Sequence, residues 1–325
     1  MAFRITAFFV LLFGVFAAPA SAADYPDHTI RLIVPFAPGG GTDVLARVIA
    51  DNLNKAFGQP VIVENQAGAS GAIGTRAAMK AAPDGYTLLM ASTGALMAVS
   101  ANADSDGPFD VNKYLSPIVI GAAPPYLLVA NPKLPVKTTA DLIRYAKEKP
   151  GGLTYGSSGI GAASHLSGLL FASMTGIKLL HVPYKGTEPA VTDLLGGRID
   201  IMFAPGPVVQ QLVQTGQLRA LGVTDTKPSK FYPDVPTVAE AVPGYQAVGW
   251  FGLLAPPKTP QDIIEKINKT IVAAMGTPEF RDHLATLGAE PTPQTPKEFA
   301  DYINADVAKW TKLVRDNDVH LPGGK

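Results

Sequence analysis

The sequence predicts an α/β protein of two lobes, each a mainly parallel sheet flanked by helices. Three observations carry this reading. Short apolar runs rich in β-branched residues alternate with runs of helical period, the order that specifies parallel sheets. The alternation occurs twice, from Ile30 to Ser92 and again from Leu153 to Phe203. The chain of 325 residues is also long enough for two cores, since a single core stops growing near about 250 to 300 residues.

The first strand is Ile30 to Val34, ended by Pro35 and Pro38, and it leads through Gly39-Gly40-Gly41 into a helix from Thr42 to about Phe57. Thr42 or Asp43 stands where an N-cap belongs, Val44, Leu45, Val48, Ile49 and Leu53 form the apolar face, and Gly58 closes the helix. A strand at Val61 to Val63, a glycine-rich turn from Glu64 to Gly71, a helix from Ala72 and a strand from Tyr86 to Ala91 follow. The apolar stretch Ser116 to Val129, broken by Pro124-Pro125, suits a strand that leaves one lobe for the other. A helix opens at Thr138-Thr139-Ala140-Asp141. The strand Leu153 to Gly156 then runs through a second glycine loop, Ser157 to Ser164, into a helix ending near Thr175. Strands ending at Tyr184 and Phe203 bracket a helix over Pro189 to Leu195, and Val248 to Leu254 is a strand returning to the first lobe. Three Thr-Pro pairs, at Thr259, Thr277 and Thr295, each put a hydroxyl N-cap before a proline at the first helical position, and Glu298 completes a capping box. The stripes Ile263, Ile267, Ile271, Ala274 and Phe299, Tyr302, Val307, Trp310 are packing faces.

Composition excludes several classes of function. Residues 1–22 carry one positive charge at Arg4, an apolar run from Phe8 to Phe16 and Ala20-Ser21-Ala22, the pattern of a secretory leader cut after Ala22. The mature chain is therefore expected in the periplasm, soluble and monomeric. Lys plus Arg number 27 and Asp plus Glu 27. Without basic runs, this balance argues against nucleic acid and against a polybasic membrane contact. The chain has no cysteine, so disulfides, thiolate metal sites and a Cys nucleophile are out. The five histidines show no zinc-ligand spacing.

The chemistry is in the glycine loops. Glycines let a backbone approach a ligand, and the helix that follows aims free N–H groups and its positive dipole end at the same place, which suits an anion. Strand ends of a parallel sheet face the ligand crevice, so Gly39 to Thr42, Ala67 to Gly71 and Ser92 to Gly94 are expected along one rim. The second loop faces them, and a negatively charged small molecule is expected between. Tyr184 and Phe203, at strand ends, are candidates to pack against it. Two enzyme readings compete. Gly159-Ile160-Gly161 suggests a dinucleotide loop, but Ser164 replaces the third glycine and Tyr184 stands where an acidic ribose partner is needed. Ser164 and His165 suggest a hydrolase, but neighbours on a helix splay about 100° apart, and no Gly-x-Ser-x-Gly elbow occurs. His165 reads instead as a helix residue bonding a neighbouring loop.

The runs YPDHTIRLIVPFAPGGGTD, VIVENQAGASGAIGT, PDGYTLL, YGSSGIGAASHL, VPYKGTEPAVTDLLGG and WFGLLAP resemble, in order and spacing, the signatures of the Bug family of extracytoplasmic solute receptors of tripartite tricarboxylate transporters. The resemblance implies a two-lobed periplasmic binding protein fold, type II-like, with residues 23–124 and 247–325 as the first lobe and 125–246 inserted as the second. It implies carboxylate capture without metal, cofactor or catalytic residue, and delivery to the transporter's membrane components. A ligand sensor for a signalling partner is the remaining alternative. It assigns ligand contacts to Gly40, Gly41, Thr42, Ser70, Ser157, Ser158, Gly161 and Ser164, to which Pro38, Gly39, Ser92, Thr93 and Ala162 of the same loops are added. Asp43 is expected to brace its loop. Ile160, Ala162 and Leu169 stand where family members often carry polar, hydroxyl and acidic residues. The expected ligand is thus a mono- or dicarboxylate less polar than citrate, aromatic acids included.

Overall fold

The computed structural model describes residues 25–100 and 109–321. The predicted leader over residues 1–22 lies outside them. Two five-stranded sheets form two lobes. The chain begins in the first with β1 (Ile30–Val34), α1 (Gly41–Phe57), β2 (Val61–Asn65), α2 (Ala72–Met79), β3 (Thr87–Ser92), α3 (Thr93–Ser100) and β4 (Ser116–Ala122). It then builds the second with β5 (Tyr126–Ala130), α4 (Thr139–Glu148), β6 (Leu153–Ser157), α5 (Ala163–Thr175), β7 (Leu179–Pro183) and α6 (Thr187–Gly196). That lobe continues through β8 (Ile201–Pro205), α7 (Gly206–Gln214), β9 (Arg219–Val223) and α8 (Val238–Ala241). The chain returns as β10 (Phe251–Ala255) and ends in α9 (Gln261–Met275), α10 (Pro278–Thr286) and α11 (Pro296–Asp316).

The sheets share one topology. The first has the order β2-β1-β3-β10-β4 and the second β7-β6-β8-β5-β9. β1 pairs in parallel with β2 and β3, and β6 with β7 and β8. Only β10 and β5, the strands the chain enters from the lobe crossings, run against their neighbours. The carboxyl ends of β1, β3, β6 and β8 therefore open onto rims where the glycine loops sit. The two crossings, after Ala122 and before Phe251, are tied by an isolated antiparallel bridge between Pro125 and Val248.

Local sequence accounts for the elements. β1 buries Ile30, Leu32, Ile33 and Val34 almost completely, as a strand covered on both faces must. α1 stops at Gly58, whose φ of 66° closes the helix in the left-handed region. Thr138 caps α4 by accepting from the Asp141 amide at 3.0 Å. Thr277 caps α10, and Thr295 with Glu298 forms the expected capping box on α11. One core lies between the first sheet and α1, α9 and α10. A second, built on Trp250, Phe299 and Trp310 in the first lobe and Phe171, Phe203 and Tyr245 in the second, runs through both.

Several expectations need correction. α1 is capped by Gly40, so Thr42 and Asp43 fall inside its first turn. Val44 is on the exposed side of that helix, and Leu45, Ala46, Ile49 and Leu53 face the core. Thr259 does not cap α9, because its hydroxyl donates to the Pro256 carbonyl at 2.9 Å and the helix starts after Pro260. The buried stripe of α9 is Ile264, Ile267, Ile271 and Met275, one residue on from the expected start. α3, α7, β9 and α8 were not read from the sequence. α3 has apolar residues nearly all round, which hides a helical period.

Candidate functional site

The first loop leaves β1 through Pro35 and Pro38 and reaches the helix with Gly39, Gly40 and Gly41 exposed. Gly39 takes a φ of 92°, which a side chain would strain. Gly40 is extended, and no side chain caps the helix. Among the described residues the amides of Gly40, Gly41, Thr42 and Asp43 have no hydrogen-bond partner. They form a set of aligned donors at the positive end of a 17-residue helix.

Asp43 holds this set in place, as expected of it. Its carboxylate accepts from the Gly39 amide at 3.0 Å, from Arg47 Nε and Nη2 at 3.0 Å each, and from Asn65 Nδ2 at 2.9 Å. Asn65 also donates to the Phe36 carbonyl at 3.0 Å, so the loop, α1 and β2 are pinned together. Burial pushes the Asp43 carboxyl up, but the bonds from Arg47, Gly39 and Asn65 outweigh it and hold the group below its ordinary value.

The second turn carries Ala69 and Ser70 at φ of 48° and 54°, a backbone region that non-glycine residues seldom adopt. Ser70 Oγ lies 3.4 Å from the Ile160 carbonyl of the other lobe. Gly94 makes a second close approach. A Cβ there would sit 3.5 Å from Ala162 Cα and 3.6 Å from the Gly161 carbonyl. The lobes are therefore in contact across the rims of both loops.

The loop after β6 spends most of its polar groups on itself. Ser164 Oγ accepts from the Ser158 amide at 3.0 Å and pairs with Ser158 Oγ at 3.1 Å. Ser157 Oγ donates to the Gly159 carbonyl at 3.1 Å and accepts from the Gly159 amide at 3.2 Å. The Gly161 amide donates to His165 Nδ1 at 3.0 Å. What remains without a hydrogen-bond partner, among the described residues, is the amide of Ile160 and those of Ala163, Ser164 and His165, the first turn of α5. This is the counterpart of the set on α1.

Both sets converge on the returning chain. A Cβ on Gly41 would stand 3.3 Å from the Phe251 ring, and one on Gly249 would stand 3.5 Å from Ala163 Cβ and 2.8 Å from Tyr126 Cε2. The residues 249–251 thus run between the starts of the two helices, with the rings of Tyr126 and Phe251 beside them.

Beneath the second loop lies a pair of histidines. His165 and His181 stack with ring centroids 4.0 Å apart, and Tyr155 stacks on His181 at 4.9 Å. His181 Nε2 is 2.6 Å from Ser157 Oγ. Ser157 Oγ is thus within hydrogen-bond reach of His181 Nε2 as well as of both Gly159 backbone groups. His165 accepts at Nδ1, so it is neutral. Burial pushes His165 down to about 3, with the neighbouring His181 adding to the shift, and burial alone pushes His181 down to about 4.

The structure brings together Pro38, Gly39, Gly40, Gly41, Thr42, Ser70, Ser92, Ser158, Gly161, Ala162 and Ser164 on or beside the facing rims. Three predicted contacts change role. Phe203 is fully buried in the core, 5.7 Å from Phe171 and 6.3 Å from Tyr245 by ring centroid, because its strand is covered on both faces and leaves neither side open. The Ser157 hydroxyl is sealed and fully bonded within its own loop. Thr93 is 2 % exposed and turns its hydroxyl to Asp306 at 3.5 Å. Tyr184 is next to the second loop, but its hydroxyl donates to Asp193 on α6 at 2.7 Å. Sequence reasoning missed Tyr126 and Phe251. Both follow segments already identified as lobe crossings, and that position was the available signal.

Among the described residues no cluster of three His, Cys, Asp or Glu could hold a metal, and no helix is long and apolar enough to cross a membrane. The profile described as the tripartite tricarboxylate transporter family receptor matches residues 45–319. Protein BugT of Bordetella pertussis is 39% identical over 314 residues, covering 96% of each chain. The R. palustris protein Rpa4515, solved with adipate, superposes with a TM-score of 0.76 at 35% identity, covering 90% of this chain and 98% of that one. MatC of Rhodopseudomonas palustris, solved with bound malate, superposes with a TM-score of 0.77 at 32% identity, covering 89% of this chain and 100% of that one. Its two sheets of shared topology, their facing loops and the match over most of its length show that this chain belongs to the tripartite tricarboxylate transporter receptors, the Bug-type periplasmic solute-binding proteins, a family of receptors and not of enzymes.

Proposed function

We propose that the protein captures a small organic acid between its lobes and delivers it to the membrane components of a tripartite tricarboxylate-type transporter. The single observation that carries the reading is the pair of unpartnered amide sets, on α1 and on α5, that converge on residues 249–251. Each offers several aligned N–H donors and a helix dipole to a carboxylate, and neither needs a metal or a buried cation. Hydrogen bonds to a charged group contribute roughly 1.5 to 3 kcal/mol each, and a helix terminus about 0.3 to 1 kcal/mol. A few of these reach about −8 kcal/mol, the micromolar affinity that scavenging requires.

The lobes divide at 124/125 and 246/247, and the chain exported after removal of residues 1–22 works in the periplasm. Closure turns on the crossings at Pro125 and Val248, and ligand favours the closed form because it touches both amide sets at once. Ile160 and Ala162 leave the second loop short of hydroxyls, which favours mono- and dicarboxylates less polar than citrate, aromatic acids among them. The adipate on Rpa4515 is of this kind. Calorimetric titration of the mature protein with adipate, malate, benzoate, citrate and the uncharged diamide of adipate tests the proposal. Micromolar binding of the less polar acids, with citrate weaker and the diamide silent, is the expected pattern. Failure of every acid, or equal binding of the diamide, would overturn it.

A further inference from the structure

We propose that Tyr126 is a ligand-reading residue, its phenol hydroxyl donating to the carboxylate held at the start of α5, and that Gly249 is glycine so that the Tyr126 ring can lie there. Tyr126 opens β5 opposite Pro205, the last residue of β8, which places it on the ligand rim of the second lobe. Its backbone is fixed on both sides by Thr224, whose Oγ1 accepts from the Tyr126 amide and donates to its carbonyl, each at 3.0 Å. The ring packs over Gly249, where a Cβ would stand 2.8 Å from Cε2 and 3.5 Å from Cζ, and the same point is 3.5 Å from Cβ of Ala163, the first residue of α5.

Hydroxyl and position together single this residue out. Tyr155 donates to the His165 carbonyl, Tyr184 to Asp193 and Tyr245 to the Ser167 carbonyl. The Tyr232 hydroxyl also lacks a partner but is sealed in the packing beside Gly206 and Gly288, and Tyr302 packs its ring on Trp250. The Tyr126 hydroxyl makes no hydrogen bond among the described residues, although the residue is only partly exposed. It is not among the hydroxyls sealed inside the fold, so it is open to an acceptor that enters the cleft. The neighbouring first-turn amides of α5 are donors and cannot serve. An anion bound by those amides would supply the acceptor, and the phenol would add the one side-chain hydroxyl that the loop, with Ser157 and Ser164 occupied internally, does not itself present. Burial pushes the Tyr126 phenol up to about 12, so it stays a donor throughout the range in which a periplasmic receptor works.

The inference rests on the carboxylate reading above, and the test separates the two. Adipate and malate are titrated into the wild type, Tyr126→Phe and Gly249→Ala. If neither acid binds the wild type, the functional reading falls and this one with it. If the wild type binds, Tyr126→Phe, which keeps the ring, is expected to weaken the tighter acid about ten- to hundredfold, the worth of one hydrogen bond to a charged group. The ligand-free melting temperature should stay unchanged. Gly249→Ala displaces the ring and is expected to weaken binding similarly, with the double variant no weaker than the poorer single one. Wild-type affinity in Tyr126→Phe, or a loss matched by a fall in ligand-free stability, would overturn the proposal and leave carboxylate capture standing.

Discussion

Replacing the stacked histidines should remove an acid sensitivity that they build into the second lobe. Free histidine titrates near about 6.5, whereas burial holds His165 at about 3 and His181 at about 4. A group whose folded value lies below its unfolded one leaves stability intact above about pH 6.5. Stability is then lost as pH falls through the window down to the folded values, because the unfolded chain takes up protons the fold refuses. At pH 5 this amounts to about 2 kcal/mol for each ring, an upper figure since the rings are coupled. The double variant His165→Asn, His181→Gln keeps an acceptor for the Gly161 amide and a hydrogen-bond partner for Ser157 but cannot titrate. Urea unfolding of both proteins at pH 7.5 and pH 5.0 measures the difference. The wild type should lose about 2 to 4 kcal/mol more than the variant between the two conditions. Carboxylates held low, such as Asp43, hardly titrate there, and Asp306, raised by burial against the bonds from its tryptophans, acts in the opposite sense. Both are present in each protein and cancel in the comparison. An equal decline in the two would refute the reasoning.

Three further expectations follow from the same packing. Gly252→Ala places a Cβ 2.2 Å from Cζ of the fully buried Phe299, and should cost about 1 to 3 kcal/mol or more in thermal or urea unfolding. Asp306→Asn leaves one of two indole N–H groups, Trp250 at 2.8 Å or Trp310 at 2.7 Å, without its acceptor. It should cost about 1 to 3 kcal/mol and alter the fluorescence of the only two tryptophans in the chain. Lys230 of the second lobe pairs with Glu290 of the first while both are largely exposed. Glu290→Lys should thus weaken adipate only a few-fold, by about 0.2 to 1 kcal/mol, with the effect shrinking in high salt.

The glycine loops were legible because their physics is local. A triple glycine after a β-branched run, or a Gly-x-Gly before an apolar helix, specifies a strand, a close backbone approach and a helix start whatever surrounds it. The caps at Thr138, Thr277 and Thr295 were legible for the same reason. What escaped depends on distant partners. Nothing near Ser157 in the chain says that His181, 24 residues on, will take its hydroxyl, or that Asp306 will take that of Thr93 from 213 residues away. Phe203 looked like a ligand wall because it ends an apolar run, but both faces of its strand are covered, so neither side of it reaches the cleft. Its side was set by Phe171 and Tyr245, which come from other elements.

The shared topology of the sheets explains why the missed residues are those at the crossings. In each lobe the reversed strand lies beside the strand whose end carries a rim loop, β10 next to β3 and β5 next to β8. These two strands are also the ones the chain enters on passing between lobes, and Pro125 and Val248 bind their approaches together. Side chains on these approaches lie beside the helix starts, Phe251 at that of α1 and Tyr126, over Gly249, at that of α5. If closure turns on the crossings as proposed, rotation of one lobe against the other is taken up in these few residues, and a ligand touching a crossing strand acts where the motion occurs. On the proposed closure mechanism, a substitution at Tyr126 or Gly249 should therefore change the rate of lobe closure as well as the affinity, whereas one at Gly40 or Ser158, remote from the crossings in the chain, should change affinity alone.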